Sequence, residues 1–249
     1  MAGIFAISDL HLPTYIQINK FGYPTDYFEQ VREHLLKFNP DLLLIVGDFS
    51  YESNFRRGLT ILEAIEELPG SKKVFIEGNH DNFCHNQKHQ NFLLETFDTE
   101  SFYYLSGRAL ITEVRVDDAD NLSKVGLCGA MGWMVHPRKI NQEDLIMFNN
   151  QLDLLKESLD LLESLRENDF SEFNICLLHH PPTYGIYTDR RIGDESFFTL
   201  IREYKFINAI VYGHIHVEQN FKIYKKISGI DLYCSAVDQL GFKAIRIKV

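Results

Sequence analysis

Short apolar runs alternate with amphipathic stretches along the first third of the chain. Gly3-Ile4-Phe5-Ala6-Ile7, Leu42-Leu43-Leu44-Ile45-Val46 and Lys73-Val74-Phe75-Ile76-Glu77 are brief and lack a polar face. Such runs predict strands covered on both sides. Between them, Tyr27 to Phe38 sets Tyr27, Phe28, Val31, Leu35 and Phe38 on one stripe, and Gly58 to Leu68 does the same with Leu59, Leu62, Ile65 and Leu68. Both predict amphipathic helices, the first stopped by Pro40 and the second by Pro69-Gly70. The order strand-helix-strand-helix-strand is that of parallel strands joined by right-handed crossovers.

Farther along, Asn82 to Gln90 runs on into Phe92 to Phe97 as a third helix. It carries His85 and His89 at i, i+4 spacing. Such a pair can bind zinc, but no third ligand accompanies it, and it reads as a solvated helix face. Phe102 to Leu105, Leu110 to Val116 and Lys124 to Cys128 predict strands joined by turns. The acidic Asp117-Asp118-Ala119-Asp120-Asn121 reads as a hairpin turn, since it lacks the glycine and terminal glutamate of a calcium loop. Asn141 then caps a long helix, with Asp144 three residues on in nearly a capping box. Its stripe of Leu145, Phe148, Leu152, Leu155, Leu159 and Leu162 is widened by Leu154, Leu161 and Leu165, which suits a core-facing helix. Asn174 to Leu178 and Ile207 to Tyr212 predict strands around a helix at Phe197 to Tyr204. Strands at Phe221 to Ile227, Asp231 to Ser235 and Phe242 to Val249 finish the chain, with Lys222 and Lys226 on a solvated face. No linker, repeat or low-complexity segment interrupts the pattern, so residues 1–249 are expected to form a single domain.

Composition narrows the classes. The 249 residues are 45% hydrophobic and 24% charged, an ordinary globular mix. The formal net charge of -10 argues against nucleic acid or an anionic membrane as partner, because both recruit cationic surface. It leaves room for a small anionic substrate where a metal supplies the positive charge. Cys84, Cys128, Cys176 and Cys234 are far apart and form no C-x-x-C pair, as expected of reduced cysteines in the cytosol. The N-terminus shows no basic and apolar regions of a signal peptide, and no apolar run approaches the ~20 residues of a membrane span. A cytoplasmic protein without membrane contact is expected.

Candidate chemistry collects at strand ends. Asp9 and His11 follow the first strand two residues apart, which in an extended segment turns both to one side. Asp9 alone would serve as a turn cap; with His11 beside it, a metal pair is at least an equal reading. Asp48 follows the second strand, Asn79 and His80 the third, His179 the strand at Asn174, and His214 and His216 the strand at Ile207. With His180, which directly follows His179, six of the ten histidines lie in these clusters. In an α/β fold such ends converge on one edge of the sheet. Carboxylate, amide and imidazole donors without thiolate suit borderline metals rather than a structural zinc site. Seven donors are too many for one ion and suit two ions sharing a carboxylate, a pair ~3.5–4 Å apart that can activate water and clamp a phosphoryl group. Gly129-Ala130-Met131-Gly132-Trp133, before His136, Arg138 and Lys139, is either a substrate-side loop or one packed by its tryptophan. The loop from Tyr184 to Asp194, with Tyr187, Arg190 and Arg191, is a second specificity candidate.

The ordered set Asp9-x-His11, Gly47-Asp48, Gly78-Asn79-His80-Asp81, His179-x-Pro181 and Gly213-His214-x-His216 resembles the motifs of the calcineurin-like metallophosphoesterases. It spans residues 9 to 216. The run from Gly129 to Trp133 and the His-His-Pro-Pro form look most like a bacterial group of predicted phosphohydrolases. The resemblance implies a four-layer α/β/β/α sandwich of two mixed sheets. It also implies hydrolysis of a phosphate mono- or diester by in-line attack of a metal-bridging hydroxide. Carried over, Asp9, His11 and His216 would hold one ion and Asn79, His179 and His214 the other, with Asp48 between them. The ions would be drawn from Mn, Fe, Co, Ni or Zn. His80 would stabilise developing charge or protonate the leaving oxygen. His180 would stand behind the ligands or face the substrate; Trp133, His136 and Arg190 are substrate-facing candidates from their place beside predicted strand ends. The family's later aspartate in the second motif, which orients the catalytic histidine, is Tyr51 here; Asp81 or Glu52 stands nearest to replace it. The alternative from another class is a metal-binding or scaffold protein that keeps the fold without turnover.

Overall fold

The computed structural model describes residues 3–13, 18, 22–115, 121–134, 141–183, 196–216 and 222–249. Its first half follows the predicted alternation. The elements are β1 (Ile4–Ile7), α1 (Tyr27–Phe38), β2 (Leu42–Val46), α2 (Phe55–Glu66), β3 (Lys72–Ile76), α3 (Gln87–Thr96) and β4 (Phe102–Tyr104). The second half adds β5 (Ala109–Arg115), β6 (Leu122–Ala130), α4 (Gln142–Asn168), β7 (Phe173–Leu178), α5 (Ser196–Glu203), β8 (Ala209–Tyr212), β9 (Tyr224–Ile227), β10 (Ile230–Cys234) and β11 (Ile245–Ile247).

Two mixed sheets result. One runs β11-β1-β2-β3-β4, with β1 to β4 parallel and β11 antiparallel at its edge. The other runs β5-β6-β7-β8-β10-β9, with β6, β7, β8 and β10 parallel and an antiparallel strand at each edge. The continuous apolar runs are explained by strand periodicity. Leu42, Leu44 and Val46 of β2 enter the core between the sheets, beside Ile175 and Leu177 of β7. Leu43 and Ile45 turn the other way, onto Val31 and Leu35 of α1 and Leu62 and Ile65 of α2. Across the molecule, Cys176 and Leu178 of β7 meet Leu155, Leu159 and Leu162 of α4. The layers are therefore helix, sheet, sheet, helix, the expected α/β/β/α sandwich.

Several local expectations change. Helix α2 starts three residues before Gly58, because the Asn54 side chain accepts from the Arg57 amide and caps it. Gly58 lies inside that helix, where a Cβ would meet the Phe83 ring at 2.3 Å. The third helix starts later than predicted, at Gln87, after a single 3-10 turn at Asn82–Cys84. His85 and His89 thus share no helix face. His85 Nε2 donates to the Gly78 carbonyl at 3.0 Å. His89 Nδ1 donates to the Phe83 carbonyl at 2.8 Å, and its ring stacks on Phe55. They are half-buried loop braces rather than a solvated face.

Asn141 caps α4 as predicted, accepting from the Asp144 amide. The buried stripe of α4 differs from the leucine pattern: Leu145 and Leu161 are exposed, while Gln151 and Ser158 are buried. Both polar residues satisfy loop amides, Ser158 Oγ that of Gly129 and Gln151 Oε1 that of Gly132. β5 and β6 pair antiparallel, but Val116 of the predicted strand and residues 117–120 of the predicted hairpin turn lie outside the described residues. All four cysteines are free and buried. Among the described residues no helix is long and apolar enough to cross a membrane.

Candidate metal centre

The five motifs leave the same edge of the sandwich because β1, β2 and β3 run parallel in one sheet and β7 and β8 run parallel in the other. The backbone does not leave in extended form. Asp9 (φ 60), His11 (φ 50), Asp48 (φ 51) and His214 (φ 70) are all left-handed. Contrary to expectation, Asp9 and His11 are therefore not turned to one side by strand spacing; tight turns bring both side chains in. For non-glycine residues this conformation costs ~1–2 kcal/mol each, offset by cross-loop hydrogen bonds. Asp9 N donates to Gly47 O at 3.0 Å, His11 N to Asp48 O at 2.9 Å and Gly213 N to His179 O at 3.0 Å. Strain gathered at one place in this way is typical of functional sites.

Two glycines are needed for closeness rather than for φ. A Cβ on Gly78 would sit 2.2 Å from Asp48 Oδ1, and one on Gly213 would sit 2.6 Å from Asp9 Oδ2. Each lets one loop lie directly against the carboxylate of another.

Two donor groups form. In the first, ligand atoms of Asp9, His11, Asp48 and His216 all lie within 4.8 Å of one another. His11 Nε2 is 3.0 Å from His216 Nε2, and His216 Nε2 is 3.4 Å from Asp9 Oδ1. In the second, Asp48, His179 and His214 are similarly close, and Asn79 Oδ1 lies 3.1 Å from His179 Nε2 and 2.9 Å from His214 Nδ1. Asp48 Oδ2 serves both, 3.9 Å from His11 Nε2 and 3.2 Å from His179 Nε2.

These residues fit a cation. His179 Nδ1 is 3.0 Å from the Val46 carbonyl, so it carries the proton there. Nε2 faces Asp48 Oδ2 and Asn79 Oδ1, and carries a proton between them until an ion displaces it and takes its lone pair. Asp48 Oδ2 is buried without a hydrogen-bond partner. Acceptors converging in this way need positive charge among them, from protonated rings or from an ion that replaces those protons. Spacings of about 3 to 3.4 Å are the ligand-to-ligand edges around an ion with bonds of about 2.1 Å.

Electrostatics within the group follow from burial and neighbours. Desolvation lifts Asp9 to about 6, against the pull of His179 and His216. Asp48 suffers the same burial, but the imidazoles of His179, His11 and His80 hold its carboxyl well below the usual range. Burial opposes charge on His216 and His179 too; Asp238 and Asp9 outweigh it for His216, Asp48 and Asp9 for His179, and each rises to about 9. His214, buried beside His179, falls to about 3. Burial drives His11 and His180 well below the ordinary value.

Around this centre, the His80 backbone amide donates to Asp48 Oδ1 at 2.8 Å. The His80 ring lies 5.4 Å from that of His11. Tyr51 stacks on His11 at 4.5 Å between centroids and meets His80 edge-on at 4.7 Å. Asp81 is fully buried, with one oxygen on the Ser50 amide and the other on the Gly78 amide, both at 2.8 Å. Its carboxylate is committed to the loop backbone. Glu52 turns to the start of α2, accepting from Asn54 N and facing Arg57. The aromatic Tyr51, rather than either carboxylate, is what the structure sets against His80.

His180 is buried, 4.2 Å from the His214 ring and 5.0 Å from Trp133, and its Nδ1 has no partner. Trp133 packs on the helical core and donates to Asp144 Oδ1 at 3.3 Å, so it anchors its loop to α4. His136 and Arg190, with Arg138, Lys139, Tyr187 and Arg191, lie outside the described residues. Sequence reasoning missed Asp238. Its Oδ2 is 3.2 Å from His216 Nδ1, the arrangement by which a carboxylate orients a ligating imidazole. Asp238 lies beyond the end of β10, a strand parallel to β8, so the strand-end rule carried four residues past Cys234 would have found it.

A family model described as calcineurin-like phosphoesterase matches residues 3–218. A probable cyclic nucleotide phosphodiesterase of Vesicomyosocius okutanii subsp. Calyptogena okutanii (strain HA) is 24% identical over 230 residues, covering 88% of this chain and 80% of that protein. Among solved structures, GAP50, the anchor in the inner membrane complex of Plasmodium, has a TM-score of 0.55 at 12% identity over 94% of this chain and 71% of that one. A protein of unknown function from Aquifex aeolicus has a TM-score of 0.43 at 17% identity over 98% and 95% of the two chains. The likeness to GAP50 concerns the fold.

Proposed function

Since this chain belongs to the calcineurin-like phosphoesterase family, we propose that it hydrolyses a small phosphate ester, a phosphodiester first, at a site for two transition-metal ions. The observation that carries this reading is Asp48 Oδ2, which stands in both donor groups at once. Asp9, His11 and His216 would complete one ion site, and Asn79, His179 and His214 the other. Ions of the Mn, Fe, Co, Ni or Zn type supply Lewis acidity for the phosphoryl oxygens and a nucleophile at neutral pH.

The chain's own groups do the remaining work. The Val46 carbonyl fixes the tautomer of His179 and Asp238 orients His216, so both rings present Nε2 inward. The half-buried His80 ring would deliver a proton to the leaving oxygen. Tyr51 limits the rotation of that ring, and Asp81 holds the loop that carries it. Preference for a diester draws on the 24% identical relative, named as a probable cyclic nucleotide phosphodiesterase. Preference for a small ester draws on the net charge of -10, which disfavours nucleic acid.

The test is a panel of cyclic nucleotides, an activated aryl diester and an aryl monoester, offered to protein loaded separately with each metal. Turnover of diesters, abolished in Asp48→Asn, is expected, with two ions bound per chain. Turnover surviving Asp48→Asn, or one ion in a saturated preparation, would overturn the dinuclear reading. Two ions without turnover of any ester would make the chain a metal-binding scaffold.

A further inference from the structure

A second cavity, of about 370 Å³, opens at the opposite edge of the second sheet from the metal centre. It lies where β7, β8 and β10 begin, beside Phe173, Asn208 and Ile230. The candidate metal ligands follow the other ends of β7 and β8. From Asn208 to His214 is six residues, about 20 Å of nearly extended chain. The two sites are therefore separate.

The charge of this cavity reverses that of the chain. Acidic residues outnumber basic ones by 35 to 25 overall. The cavity, however, is lined by Arg202, Lys205 and Lys226 against one carboxylate, Asp231. That carboxylate is already engaged by the Tyr224 hydroxyl at 2.6 Å and Lys226 Nζ at 3.3 Å. Among the described residues Arg202 faces no carboxylate; its guanidinium lies 5.9 Å from the Phe198 ring. Lys205 Nζ donates only to the Arg202 carbonyl, at 2.9 Å. Asn208 Oδ1 is taken by the Asn174 amide, which leaves its NH₂ group as a further donor. Among the described residues the cavity thus presents a surplus of donors and two positive charges, on the exposed Arg202 and Lys205, without counterions. Phe173, Ile207 and Ile230 add an apolar wall.

We propose that this cavity is a binding site for a small organic oxyanion, a phosphate or carboxylate carried on a compact apolar or planar body. Arg202 supplies a planar fork suited to two oxygens of one such group, and Lys205 a point charge beside it. The volume falls in the range of small-molecule sites. Binding here is independent of hydrolysis at the metal centre.

The experiment titrates adenosine monophosphate and, separately, benzoate into the full chain after chelator treatment, so that no metal competes for the anion. Calorimetry is expected to show one site per chain for at least one probe at millimolar concentration or below. Arg202→Gln with Lys205→Gln should weaken it by tenfold or more, since both charge-assisted contacts to the anion are removed. Lys205→Gln alone should give part of the loss, and Lys37→Gln, on α1, none. Circular dichroism checks that each variant is folded. No binding of either probe to the unaltered chain would overturn the proposal. So would equal binding by the double variant, or an equal loss in Lys37→Gln.

Discussion

Asp238 holds His216 by the ring nitrogen that faces away from the metal cluster. Its Oδ2 is 3.2 Å from His216 Nδ1, while His216 Nε2 is 3.0 Å from His11 Nε2 and 3.4 Å from Asp9 Oδ1. With Nδ1 protonated toward the carboxylate, Nε2 is left as the inward lone pair. Asp238→Ala should therefore lower metal affinity or turnover by roughly 10–100-fold with the fold retained. A metal titration followed by calorimetry measures it; affinity equal to that of the unaltered chain would remove Asp238 from the site.

Metal uptake should depend on pH with a definite sign. His179 and His216 titrate at about 9 in the metal-free fold, against an ordinary value of 6.5. Their raised values stabilise the metal-free fold fully below 6.5, and that contribution is lost as pH rises through about 9. An ion requires both rings unprotonated, so it must displace those protons. Affinity should rise from pH 6.5 to about 9, with up to two protons released per chain from these two histidines. Calorimetry in buffers of different ionisation enthalpy counts them. A flat affinity across that window would contradict the assigned ligands.

His80 is expected to act on the reaction and not on the ions. Its backbone amide supports Asp48, but its ring faces Tyr51 and His11 outside both four-residue donor groups. His80→Ala should keep two ions per chain and slow turnover by roughly 10²–10⁴-fold. Loss of an ion in His80→Ala would instead make the imidazole a ligand.

Gly78→Ala tests the close approach of the loops. The added methyl would lie 2.2 Å from Asp48 Oδ1, which it would displace, and 2.3 Å from the Asp48 backbone nitrogen, which cannot swing aside. Overpacking of this kind costs about 1–3 kcal/mol, and each kcal/mol lowers the melting temperature of a chain this size by roughly 2–4 °C. Turnover should fall further than stability, since the displaced atom belongs to the shared carboxylate. A variant with unchanged melting temperature and turnover would show that the loops separate freely.

Sequence by itself determined the alternation of strands and helices in the first half, the four-layer arrangement through the family resemblance, and which strand ends carry polar chemistry. These are local properties. Periods of two and of 3.6 residues are set by backbone geometry, and the apolar runs of β2 and β7 are uniform because both of their faces are buried. Tertiary structure alone decided how those ends meet. The left-handed turns at Asp9, His11, Asp48 and His214 depend on hydrogen bonds between loops far apart in sequence. Asp238 reaches His216 only because β10 pairs with β8. His85 and His89 lost their shared helix face to a 3-10 turn that lets each brace a loop carbonyl. Asp81 was drawn to two buried amides that nothing in its neighbours announces. An element is encoded in consecutive residues, whereas a site is made where separate elements are pressed close enough to share one carboxylate oxygen.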